Sequence, residues 1–286
     1  MILNYIHWNL DPEIMNIFGF SLRYYGILFV GGLILCIYML GWIFKRENLP
    51  SENLEKLSIY GMVGIMVGAR LGHCLFYELT YYLSHPLEMI LPIAFPPEGG
   101  VKFIGYQGLA SHGGALGLII ALYFYARKTK SSMIDTIDLI AIVTPLGCGF
   151  IRLANFMNSE IIGIATTKPW GMIFERVDNI PRHPAQLYEA ISYFITFAIM
   201  IILYKKNRDR LKNGFFFGLV LVLIFTARFV IEFVKKDQVG FEDGMIFNMG
   251  QLLSLPYMVV GIGFIIYGLW RTKILSGQQN ASSIAR

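Results

Sequence analysis

The chain has 286 residues, of which 55% are hydrophobic and only 15% charged, with a formal net charge of +5. Its mean hydropathy is +0.56. A water-soluble domain carries about 25% charged residues, so the composition excludes a soluble globular protein and points to an integral membrane protein. The positive balance reads as topology and attraction to anionic lipid headgroups, and nothing suggests a nucleic-acid partner.

The opening, MILNYIHWNLDPEIMNIFGF, has no basic region followed by a short apolar core and small-residue cleavage site, so a signal peptide is not expected. It reads as an amphipathic outer segment anchored at the interface by Trp8, Phe18 and Phe20. Seven apolar runs follow, near residues 24–44, 58–79, 111–126, 137–154, 186–204, 214–234 and 250–270. Each approaches the roughly 20 residues that cross a bilayer core, which predicts an all-α membrane protein of about seven spans. The basic clusters Lys45/Arg46, Arg127/Lys128/Lys130, Lys205/Lys206/Arg208/Arg210 and Arg271/Lys273 then fall on one side. By the positive-inside rule that side is cytoplasmic, with the N-terminus outside and the C-terminus inside. Residues 1–274 form one membrane domain, the long outer loops near 80–110 and 155–185 form a small cap, and 275–286 is a flexible polar tail. Loops of that length are usually functional or disordered, and these keep aromatic and apolar residues that disorder would lack. The three cysteines, Cys36, Cys74 and Cys148, all lie inside predicted spans and read as small buried apolar residues.

Polar groups inside the spans carry the functional information, because a charge there is expensive unless it is paired or serves a cavity. In the second span, Gly64, Gly68 and Gly72 recur every four residues and admit a close helix neighbour. Arg70 and His73 share a face of that helix; Arg70 is either a cation snorkelling from a helix end or part of a site. The third span opens SHGGALG, with His112 followed by Gly113 and Gly114. The ring is either hydrogen-bonded packing or a group facing a ligand that approaches the backbone. The fourth span ends GCGFIRLANFMNSE, which sets Arg152, Asn155 and Ser159 on one helix face with Asn158 and Glu160 close behind. Gln186, Tyr188 and Glu189 stand at the outer mouth of the fifth span, after prolines that enforce an extended entry. In the sixth, Arg228 and Glu232 are four apart, either an intrahelical pair or members of a wider site.

Arg70, Arg152 and Arg228 face Glu160, Glu189 and Glu232, and His112 can add positive charge. Arginine forks suit bidentate phosphate binding, so the set fits a phospholipid headgroup with its acyl chains between helices. The scattered histidines and isolated cysteines make no metal-ligand set, and no cofactor is indicated. The rival class is a lipid or solute transporter using the same Arg, His and Glu residues as a path. No internal repeat of the kind many transporters show is present.

The stretches RYYG at 23–26, GARLGHCLFYE at 68–78, SHGGALG at 111–117, GCGFIRLANFMNSEIIG at 147–163, RHPAQLYE at 182–189, RFVIEF at 228–233 and MGQLLSLP at 249–256 together resemble the prolipoprotein diacylglyceryl transferase family. They occur in the family's order and span nearly the whole chain. The resemblance implies a multi-pass enzyme of the bacterial inner membrane that moves the diacylglyceryl group of phosphatidylglycerol onto the lipobox cysteine of prolipoprotein signal peptides, forming a thioether and releasing glycerol phosphate. It implies a functional core of His112, Arg152 and Arg228. Substrate contacts carried over by motif position are Tyr25, Arg70, Gly113, Gly114, Asn155, Asn158, Glu160, Gly163, Gln186, Tyr188, Glu189 and Glu232. The chain departs from the family pattern at Ile224 and Phe225, where a Tyr-Gly pair is frequent, so a tyrosine role there does not transfer. It departs also at LASH before the HGG motif, at His73 and at Ile162. On this reading a neutral His112 accepts the proton of the cysteine thiol, while the two arginines hold the phosphate and stabilise the leaving oxygen. The other assignment makes His112 structural.

Overall fold

The computed structural model describes residues 5–17, 20–91, 93–94, 100, 102–103, 110–208, 211, 214–236 and 246–284. The chain divides into two compact units, Met1–Trp42 with Ile137–Arg286, and Ile43–Thr136. Short strands β1 (Ile6–Trp8), β2 (Glu13–Ile17) and β3 (Phe20–Arg23) precede the long helices α1 (Tyr24–Arg46) and α2 (Ser51–Phe76). Two short helices, α3 (Leu79–Ser84) and α4 (Pro86–Ile90), and the strands β4 (Ile93–Ala94) and β5 (Lys102–Phe103) lead to α5 (Ser111–Thr129) and α6 (Met133–Met157). Strands β6 (Met172–Phe174) and β7 (Pro181–Arg182) then precede α7 (Ala185–Asn207), α8 (Phe215–Glu232) and α9 (Met249–Ile284). The last of these carries helix into the segment whose polar composition marks it as a tail.

Helices therefore stand at all seven expected positions, and the protein is mostly helical with multi-pass membrane character. Six of them are long and apolar enough to cross a bilayer among the described residues. The exception is α5, which opens Ser-His-Gly-Gly and closes on Arg127 and Lys128; these residues dilute the apolar character of its 19 residues.

In the first unit, the short strands correct the reading of the N-terminus as a segment lying on the membrane. β1 pairs in parallel with β6, and β7 completes the sheet antiparallel to β6. The Trp8 ring packs 4.2 Å from that of Phe156, over a cluster of Phe156, Ile162, Met172 and Phe174. Phe18 lies outside the described residues, as does the side chain of Phe20. β2 and β3 form a hairpin that runs directly into α1. Between α6 and α7, Gly149 leaves room for the Phe194 ring, which meets Phe150 edge-on at 5.7 Å. α8 and α9 touch where Gly218 and Gly261 face each other; a methyl on Gly218 would lie 2.5 Å from the Gly261 carbonyl oxygen. At the start of α8, the buried Asp138 carboxylate of α6 accepts from the backbone N–H of Gly214 at 2.8 Å and of Phe217 at 2.9 Å, satisfying donors that a helix start leaves open.

In the second unit, α2 and α5 pack through their glycines. A methyl on Gly72 would lie 2.7 Å from Cα of Gly113, and one on Gly64 would lie 2.7 Å from the Gly117 carbonyl. Van der Waals contact between backbones replaces the hydrophobic drive that lipid cannot supply. Gly114 is different, since a methyl there would meet Ala69 at an ordinary 3.5 Å. Gly72→Val and Gly117→Val are accordingly expected to cost about 1–3 kcal/mol of stability by overpacking, whereas Gly114→Ala leaves it nearly unchanged. Thermal melts in detergent check the ranking.

Candidate functional site

The first unit gathers an alternating chain of charges. Arg152, on the last turns of α6, places its Nε 2.8 Å from Glu189 Oε2 of α7. The carboxylate is fully buried, and the contact is an ion pair rather than an aligned hydrogen bond. The other Glu189 oxygen lies 3.7 Å from the ammonium of Lys235, which is itself 3.1 Å from Glu232 Oε2. Glu232 thus pairs three residues forward with Lys235, and the Arg228–Glu232 pair that their spacing allows does not form. Arg228 is half-buried on α8. It makes no ion pair or hydrogen bond among the described residues. The buried Tyr193 hydroxyl lies within electrostatic range of Arg152, Glu189 and Arg228 together.

Beyond α6 the chain reverses sharply. Ser159 and Ile161 both take φ of 56°, a left-handed conformation uncommon outside glycine and costly for a β-branched residue. The reversal folds Glu160 back on the helix end, where its backbone N–H donates to the Asn155 carbonyl at 2.9 Å. The Asn155 and Asn158 amides each donate to one Glu160 oxygen, both at 2.9 Å, and Arg152 Nη1 donates to Asn155 Oδ1 at 3.2 Å. The Gln186 amide donates to the Glu160 carbonyl. Arg152, Asn155, Asn158, Glu160, Gln186 and Glu189 are therefore one connected network. Tyr25, on the first turn of α1, joins Asn158 and Glu160 around an open cleft of about 520 Å³, whose remaining wall is Gly26 and the β3 residues Ser21, Leu22 and Arg23.

Gly163 holds the strand segments together. Its N–H donates to the His183 carbonyl at 2.9 Å, and a methyl on it would lie 2.5 Å from that oxygen and 2.6 Å from the Val234 carbonyl. Only a residue without Cβ lets three backbones meet here, and its bridge partner is Lys235. Tyr188 sits at the edge of this network, with its hydroxyl accepting from Trp170 Nε1 at 2.9 Å and lying 3.0 Å from His183 Nδ1. Burial, with Lys168 nearby, pushes the His183 pKa down. Arg182 donates to Asp178 through Nε and Nη2 in three hydrogen bonds and holds that carboxyl below the usual range.

The remaining predicted residues belong to the second unit. Arg70 is buried, and its guanidinium donates to the Glu88 carbonyl at 2.5 Å and the Met89 carbonyl at 3.3 Å, 4.9 Å from the Tyr82 ring centre. These contacts staple α2 to α4. Gly113 is spent on helix packing, as above. His112 is exposed on the first turn of α5. Its ring makes no hydrogen bond among the described residues.

Lys235 and Tyr193 were not picked out by the sequence. Lys235 follows the apolar run and reads as a loop cation, although its position three residues after Glu232 was a usable signal. Tyr193 stands four residues after Glu189 on the same helix face, hidden by the frequency of tyrosine in such a chain.

Comparison with known proteins gives a consistent result. A family model described as prolipoprotein diacylglyceryl transferase matches residues 12–267. A phosphatidylglycerol–prolipoprotein diacylglyceryl transferase of Bacteroides fragilis is 54% identical over 262 residues, covering 92% of this chain and 95% of the relative. Proteins of the same name from Tolumonas auensis and Porphyromonas gingivalis are 42% and 40% identical. These cover 90% and 92% of this chain and 95% and 94% of their own lengths.

The depressed His183 pKa has a measurable consequence. The folded state favours the neutral ring, so stability is full above the unfolded histidine value of about 6.5 and falls as the pH drops below it. His183→Gln is expected to flatten that slope in melting temperatures recorded between pH 7.5 and 5.

Proposed function

Because the chain belongs to the prolipoprotein diacylglyceryl transferase family, we propose which of its residues carry that family's reaction. The protein is a multi-pass bacterial membrane enzyme that transfers the diacylglyceryl group of phosphatidylglycerol to the lipobox cysteine of a prolipoprotein, the first step of lipoprotein maturation. In the reaction the thiol loses its proton, sulfur bonds to the glyceryl carbon that bears the phosphate ester, and the carbon–oxygen bond breaks. Glycerol phosphate leaves with that bond's electron pair.

The observation that supports the assignment is the charge balance of the first unit. Arg152, Glu189, Lys235 and Glu232 alternate and neutralise one another, while the half-buried Arg228 has no ion pair among the described residues. A buried cation is stabilised by an anion, and the phosphate diester of the lipid is one. Arg152 would add guanidinium N–H groups not engaged by Glu189 or Asn155, and its planar fork is already oriented by those two partners. Charge accumulates on the leaving oxygen as the bond breaks, and fixed arginines stabilise it without reorganising. Asn158 and Tyr25 would orient the headgroup in the cleft they share with Glu160. The Glu160 carboxylate is engaged by two amides, which suits a positioning role better than a basic one. His112 remains the proposed acceptor of the thiol proton, since a neutral imidazole matches a thiol of pKa near 8.5. The contacts of Arg70 and Gly113 favour roles in folding.

The test uses purified protein, phosphatidylglycerol and a lipobox peptide, with the lipidated peptide detected by mass. Arg152→Lys and Arg228→Lys are each expected to lower turnover about a hundredfold, since charge alone does not replace the fork. Turnover close to the parent's would sink bidentate phosphate recognition. His112→Gln should lower turnover; a normal rate with an unchanged pH profile assigns His112 to structure.

A further inference from the structure

The groove between α2 and α5 uses none of the residues assigned to the transfer reaction. Val63, Val67, Leu71, Ile120 and Phe124 wall an apolar furrow of about 490 Å³. Gly64, Gly68 and Gly117 deepen it where the two backbones touch. Within this unit the described residues leave the surface open, with Val63, Ile120 and Phe124 55%, 48% and 55% exposed. From Ile59 to Leu71 the α2 wall runs roughly 18 Å at 1.5 Å per residue, comparable to one leaflet of a hydrocarbon core about 30 Å thick.

One end of the furrow is charged. Tyr60 and Phe124 continue it into a second hollow of about 540 Å³ that includes Tyr123, Arg127 and Lys128. Arg127 is held in place: its Nη1 donates to the Tyr123 hydroxyl at 2.9 Å, and its guanidinium carbon lies 5.7 Å from that ring's centre. No carboxylate pairs with Arg127 or Lys128 among the described residues. Glu52 of α2 is engaged by Lys56 at 2.7 Å. An apolar channel of leaflet depth thus ends in two cations with no counter-ion among the described residues.

We propose that this furrow binds an anionic phospholipid, with an acyl chain between α2 and α5 and the phosphate on Arg127 and Lys128. Charge complementarity selects the headgroup, while the glycine-cut depth selects a chain. Basic side chains near a membrane surface favour anionic lipids over zwitterionic ones, and Arg127 is already oriented by Tyr123.

Native mass spectrometry of the full chain in detergent, titrated with phosphatidic acid and separately with phosphatidylcholine, tests the proposal. The parent should retain phosphatidic acid in preference. Arg127→Gln with Lys128→Gln should weaken that retention about tenfold while leaving transfer at saturating phosphatidylglycerol unchanged. Ile120→Trp, which fills the furrow, should lower retention of both lipids. Equal retention of phosphatidic acid by the parent and the double variant overturns the proposal, as does equal retention of the two lipids by the parent. A two-chain mass that Ile120→Trp abolishes would assign the furrow to a second copy and overturn it as well.

Discussion

An arginine half-buried among apolar helices needs a counter-ion, and the fully buried Glu189 supplies it for Arg152. Removing two charges from water costs several kcal/mol per ion, so the pair persists only because each member has further partners. Arg152 also donates to Asn155, and Glu189 faces Lys235, which in turn meets Glu232. The end of α6, the start of α7 and the turn after α8 are fixed by this one chain of charges. Gly163 is the geometric condition for it, because the crowded bridge opposite Lys235 is open only to a residue without a side chain.

The membrane architecture was legible because hydropathy is a local property: twenty apolar residues announce a helix without reference to the rest of the chain. Even the exception is local, since the glycines, His112 and basic end of α5 dilute its apolar character. What could not be read is long-range pairing. β1 meets β6 across more than 160 residues, and no spacing within residues 1–20 signals that Trp8 belongs on Phe156. The connected face of Arg152 and Asn155 was visible from their separation of three. The Glu232–Lys235 pair was equally local, yet the four-residue spacing to Arg228 competed with it, and only the turn after α8 decides between them.

Glycine serves two purposes that spacing alone does not separate. In α2 and α5 it lets helices meet backbone to backbone, and the same holds at Gly218 and Gly261 between α8 and α9. The HGG motif therefore divides: Gly113 faces α2, Gly114 has room for a methyl, and His112 presents a polar group with no partner among the described residues. A motif that reads as one unit in sequence splits into a packing residue, a tolerant one and a reactive candidate once the helix neighbour is known.

The signature after Arg152 stores cost in two forms. Ser159 and Ile161 adopt left-handed backbone, each at about 1–3 kcal/mol. Asn158 Oδ1, Ser159 Oγ and Gln186 Oε1 are buried with no hydrogen-bond partner among the described residues, a condition that costs about 1–3 kcal/mol per group. A sequence under selection for stability alone would relieve both, since a glycine at 161 and apolar replacements at the orphaned atoms are simple changes. The strain instead turns Glu160 back toward Asn155 and Asn158 beside the cleft of Tyr25; Asn158 Oδ1 and Ser159 Oγ lie in that turn, and Gln186 Oε1 stands on the first turn of α7, whose amide holds the Glu160 carbonyl.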